Sequence, residues 1–150
     1  MTERSIAHGS FTVTRSYPAK PSRVFKAWSN PEFKRKWFGS PKENDSKSVF
    51  EFRVGGREYN EDMMGNDLFT FDVRYQDIVP DQRIVYTYDM TMNGQRISVS
   101  LATIEIEAEG DGSKMTVVEY GAFLDGLDNV RQREEGTNAL MDALGNSLAD

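Results

Sequence analysis

The chain has 150 residues, 38% of them apolar, with 12 Gly, no Cys and a formal net charge of −6. This is the composition of one folded domain; a disordered chain would pair low hydrophobicity with high net charge. The missing cysteines exclude a disulfide framework, a thiolate zinc site and a cysteine nucleophile. An acidic chain also lacks the basic footprint of nucleic-acid binding.

Residues Met1–Ser10 are polar, so no signal peptide is read there. No run approaches the roughly 18 apolar residues of a membrane span. A single cytoplasmic domain over 1–150 is therefore expected.

Residues Phe11–Tyr17 alternate, with Phe11, Val13, Arg15 and Tyr17 on one face of a strand. Pro21 suits a first helical position, and Val24, Phe25, Ala27 and Trp28 follow at helical spacing, which predicts a helix over Pro21–Ser29. Asn30-Pro31 starts a second short helix, expected to run to Trp37 and stop at Gly39. Its basic cluster of Lys34, Arg35 and Lys36 reads as a solvated face. A polar loop over Pro41–Lys47 precedes a strand over Ser48–Val54, with Phe50 and Phe52 on one face. Gly55-Gly56 is a hairpin signal, and Arg57–Met63, Leu68–Val79 and Arg83–Met92 read as successive strands. The third of these places Ile84, Tyr86, Tyr88, Met90 and Met92 on one face.

Asn93-Gly94 turns the chain into Gln95–Glu109, where the phase slips. Ile97, Val99 and Leu101 have one parity, Ile104, Ile106 and Ala108 the other, which predicts a β-bulge near Ala102-Thr103. Lys114–Phe123 is the last strand. Leu127–Leu148 then carries Thr137, Leu140, Met141, Leu144 and Leu148 at helical spacing. Arg131–Glu135 is charged or polar throughout, so the first half of this helix is expected to pack less. Consecutive hairpins imply an antiparallel sheet, and only the last helix is long enough to cover its apolar face.

The segments Phe11–Arg15 and Pro18–Trp28, followed by Asn30-Pro31 and Trp37, resemble the opening of START-like (SRPBCC) proteins. Phe52–Arg57, Ile78–Val85 and Thr116–Phe123, the last followed by the Gly136 helix, are similar to motifs of one branch, the homologues of the heat-shock protein 90 ATPase activator. The resemblance runs over nearly the whole chain with the motifs in order. It implies the α+β helix-grip fold: a curved antiparallel sheet wrapped around a long C-terminal helix, with two short helices after strand 1 and a cavity between sheet and helix. Many members carry Gly-Trp in the last helix where this chain has Gly136-Thr137, so a bulky side chain is absent there.

Strand aromatics, tyrosines above all, suit an apolar cavity that needs a few polar groups. The candidate ligand-binding set is Phe52, Tyr59, Phe71, Tyr86, Tyr88, Phe123, Trp37 and Met141, together with Arg15 and Glu119. Ordinary core packing is the competing reading for the aromatics. Arg15 and Glu119 each sit among apolar residues of their own strands, and in the resembled fold those strands are neighbours, so the two could meet. A structural ion pair, or one group facing water, competes with a polar anchor or a carboxylate acid/base inside the cavity. The only histidine, His8, lies ahead of the first strand and is a poor general base. No catalytic set, metal cluster, phosphate loop or cofactor motif is read.

Three functions follow as expectations. The first is binding of a small apolar or amphipathic molecule, such as a lipid. The second is a chaperone-associated or other protein-interaction domain, including self-association, working through an exposed apolar patch near the short helices. The activator itself has an additional N-terminal domain, for which 150 residues leave no room, and this argues against co-chaperone activity. The third is a cyclase-like or hydrolytic enzyme using Glu119 and the cavity tyrosines.

Overall fold

The computed structural model describes residues 4–38 and 48–149. Gly39 and the Pro41–Lys47 loop lie outside the described residues. Elements follow in the order β1 (Ile6–Tyr17), α1 (Pro21–Ser29), α2 (Pro31–Lys34), β2 (Val49–Phe50), β3 (Arg57–Met64), β4 (Asp67–Val79), β5 (Arg83–Met92), β6 (Gln95–Glu109), β7 (Gly112–Leu124) and α3 (Val130–Ser147). The seven strands form one antiparallel sheet in the order β1-β7-β6-β5-β4-β3-β2. With the two short helices after the first strand and the long helix last, this is the expected helix-grip fold.

The helices start where local chemistry sets them. Asn30 caps α2 by accepting from the Glu32 and Phe33 amides, and Asn129 caps α3 by accepting from Gln132 N. α3 crosses the inner face close to β1, and a glycine permits the approach at each end. A Cβ on Gly9 would lie 2.6 Å from Val130 Cβ, and one on Gly145 would lie 2.8 Å from Tyr17 Cε1. The Tyr17 hydroxyl donates to the Met141 carbonyl at 2.7 Å, which ties β1 to the middle of the helix. Val13, Ile84, Ile104, Met115, Val117, Met141 and Leu144 fill the core between these layers.

Several expectations are corrected. His8 lies inside β1, opposite Ala122, because strand pairing with β7 extends back to Ile6. α2 ends at Lys34 and continues as turns. The strand before Gly55 is only Val49–Phe50, since the chain bends at 53–55 before entering β3. β6 has no bulge at Ala102-Thr103; these residues pair in register with Tyr86 and Val85. The shift falls earlier, between Met90↔Ser98 and Thr91↔Arg96. Ser98 and Ser100 therefore face inward with Ala102, Ile104 and Ile106, while Val99 and Leu101 face out. The apparent phase slip is the signature of two polar residues on the inner face.

Among the described residues no helix is long and apolar enough to cross a membrane. The exposed large hydrophobics are not on the short helices. Val99, Leu101 and Tyr120 lie on the outer face of the sheet, where Leu101 pairs with Tyr120.

Candidate functional site

A cavity of about 400 Å³ opens between the inner face of the sheet and α3. That volume is in the range of roughly 300–1,000 Å³ typical of small-molecule sites. Trp28 of α1, with Trp37 and Phe38 just after α2, closes one side. Phe69 and Phe71 of β4, Tyr86, Tyr88 and Met90 of β5, and Val117 of β7 form the floor. Leu140 and Met141 of α3 cover it. Exposed Met64, Gln132 and Gly136 mark its mouth. The rings pack on one another, with Phe38–Phe71 centroids 5.0 Å apart and Phe71–Tyr88 centroids 4.7 Å apart, so the wall is one aromatic surface rather than separate fillers.

Two buried charged clusters interrupt this surface. In the first, Lys34 Nζ donates to Glu58 Oε1 at 2.7 Å. The Tyr75 hydroxyl donates to the same oxygen at 2.5 Å, and Asn60 Nδ2 donates to Oε2 at 3.0 Å. Rings of Trp28, Trp37, Phe38 and Phe50 surround the Lys34 ammonium at 4.9–5.8 Å from their centroids. The reading of Lys34 as a solvated residue is therefore wrong; only 7% of it is exposed. The Glu58 carboxylate of β3 and an aromatic collar offset its desolvation.

The second cluster centres on Arg133. Its guanidinium donates to Asp128 Oδ2 at 2.5 Å, the Tyr88 hydroxyl at 2.8 Å, Ser98 Oγ at 2.9 Å and Ser100 Oγ at 3.2 Å. The Tyr88 hydroxyl in turn donates to Glu119 Oε2 at 2.8 Å, and Arg133 Nη1 lies 3.6 Å from that oxygen. Burial raises the Glu119 pKa, against the lowering pull of the Tyr88 hydrogen bond and of Arg133. Burial also raises the Tyr88 pKa, reinforced by the charge of Glu119. The polar start of α3 thus packs inward through Arg133, contrary to expectation.

Of the sequence-predicted residues, Trp37, Phe71, Tyr86, Tyr88, Glu119 and Met141 line the cavity. Four do not. Phe52 packs edge-on against Tyr75 and Phe25 behind the wall. The Tyr59 hydroxyl donates to Glu61 Oε2, a bond that pushes its pKa up to about 12. Phe123 is buried beneath the Arg133 guanidinium, 5.5 Å away. Arg15 does not meet Glu119. Register places Met115 opposite Arg15 and Phe11 opposite Glu119, and the Arg15 side chain passes beside the helix to Asp142 at 2.9 Å and Asn138 at 2.8 Å.

Lys34, Glu58, Arg133, Asp128, Ser98 and Ser100 escaped the sequence reading. The inward parity of Ser98 and Ser100 was the one available signal. Among the described residues no group of His, Asp and Glu is arranged to hold a metal ion.

Solved structures share this architecture. The Mll3558 protein of Rhizobium loti is 42% identical, with 95% of this chain and 99% of that one covered at a TM-score of 0.88. An uncharacterized protein of Rhizobium leguminosarum is 39% identical, with 99% of each chain covered at a TM-score of 0.91. Protein CV1439 of Chromobacterium violaceum, at 21% identity, shares the fold with a TM-score of 0.77 over 94% of this chain and 97% of that one. No curated protein matches the sequence. One family model, described as Activator of Hsp90 ATPase homolog 1-like protein, matches residues 18–149, a span that takes in the short helices, β2 to β7 and α3; the chain belongs to that family.

Proposed function

We propose that this protein binds a small amphipathic molecule between the sheet and α3. The observation that carries the reading is the 400 Å³ cavity, with its aromatic wall and the buried Glu119–Tyr88–Arg133 cluster at one part of it. Apolar walls supply the binding free energy, and a few fixed polar groups orient the ligand. The cluster is pre-ordered, because Arg133 is held by four hydrogen bonds before any ligand arrives.

Native mass spectrometry of freshly purified protein, compared with its denatured mass, tests the reading. A native excess lost on denaturation is the expected result. Equal masses, together with no saturable binding of Nile red to refolded protein, refute it.

A second reading, contact with another protein, is favoured by the apolar outer face around Val99, Leu101 and Tyr120. Arg133 and Glu119 play no part in it, so substitutions there separate the two.

A further inference from the structure

We infer that the cavity selects amphipathic molecules by a hydrogen-bond-donating headgroup, a protonated amine ahead of a hydroxyl, and refuses carboxylates. The inference rests on the binding function proposed above. Both cations among the described residues of the cavity wall are already occupied. Lys34 is held by Glu58 at 2.7 Å. Arg133 is held by Asp128 at 2.5 Å and shares its field with Glu119 at 3.6 Å. With every group charged, the Lys34 pair is neutral and the Arg133 cluster carries one negative charge in excess. An incoming carboxylate would have to displace an internal one, and the displaced group would stay buried without its cation.

Glu119 presents the opposite opportunity. Its Oε2 accepts from Tyr88. Among the described residues the Tyr88 hydroxyl is the one hydrogen-bond donor to this carboxylate, at Oε2, and Glu119 lines the cavity. Burial disfavours the charged carboxylate, and a ligand cation at hydrogen-bond distance would relieve that penalty. Tyr86, Tyr88 and Phe71 stand beside it in the wall, and ring faces attract an ammonium. A hydroxyl would donate to the same carboxylate but bring no positive charge of its own, which places it between amine and acid.

The test is isothermal titration calorimetry of the whole chain with n-decylamine, n-decanol and sodium decanoate, at neutral pH and in enough salt to screen the protein's net charge. The amine is expected to bind about tenfold or more tighter than decanoate, with decanol between them. Glu119→Gln keeps the shape, and should weaken the amine more than decanol and so remove the amine's advantage. Its thermal unfolding shows whether the variant is folded; if it is not, the wild-type ranking decides alone. Decanoate binding as tightly as decylamine overturns the headgroup inference and leaves the binding function standing. A folded Glu119→Gln that keeps the amine preference also overturns it. Absence of saturable binding by all three removes the binding function, and the inference with it.

Discussion

Two glycines of α3 should respond to the same substitution with opposite signs. Gly136 sits in the helix interior with nothing within 4 Å of an added Cβ. Glycine there costs roughly 1 kcal/mol relative to alanine, because the unfolded chain gives up more freedom. Gly136→Ala should therefore stabilise by about 1 kcal/mol, which at this chain length raises Tm by about 2–4 °C. Gly145 gains the same propensity term, but its Cβ would lie 2.8 Å from Tyr17 Cε1. That ring cannot retreat freely, since it is buried and its hydroxyl is bonded to the Met141 carbonyl. Overpacking of this kind costs about 1–3 kcal/mol, so Gly145→Ala should come out neutral to about 2 kcal/mol destabilised. Urea unfolding of refolded, ligand-free protein measures both. Gly136→Leu extends the test to function: it should keep the helix gain and weaken ligand binding by narrowing the mouth. Shifts of the same sign for the two alanine variants would refute the close-approach argument for Gly145. Unchanged ligand affinity in Gly136→Leu would remove Gly136 from the mouth.

The Lys34–Glu58 pair supplies a thermodynamic cycle: Lys34→Met strands a buried carboxylate and should cost about 3–5 kcal/mol in urea unfolding, and adding Glu58→Gln should recover most of it. Asp142→Asn, at the exposed Arg15 ion pair, should change stability by less than about 1 kcal/mol in the same assay. Tyr17→Phe removes the hydroxyl bonded to the Met141 carbonyl and should cost about 1 kcal/mol by thermal unfolding. Glu119 contributes a pH dependence of definite sign. Its folded-state pKa is raised, mainly by burial, so the folded state holds the proton more tightly than the unfolded one. Its contribution is fully present below the ordinary carboxylate pKa and is lost as pH rises through the raised folded-state value. The groups facing Glu119 are Tyr88 of β5, Arg133 of α3 and Asp128 before it. Glu119→Gln should flatten the stability profile over the acid-to-neutral range, and an unchanged slope would assign the dependence to other groups.

Much of this molecule is written in short-range pattern. Alternation marked β1 and β5, and the Arg83–Met92 and Gln95–Glu109 boundaries match the structure residue for residue. The 3.6-residue stripe Thr137, Leu140, Met141, Leu144 found the helix that covers the sheet. Aromatics of one parity on β4 and β5 became the cavity floor, because strand parity is a local property. Tertiary structure alone decided the polar chemistry. Arg15 has the parity of an inward residue, yet it leaves beside the helix because Asp142 and Asn138 meet it there. Lys34 stands in a run of three basic residues and is buried only because Glu58, 24 positions along the chain, arrives at 2.7 Å. Arg133 belongs to a charged helical turn and faces inward because Tyr88, Ser98, Ser100 and Asp128 meet it there. A buried charge is stable only where a distant partner compensates its lost hydration, and no local periodicity carries the address of that partner.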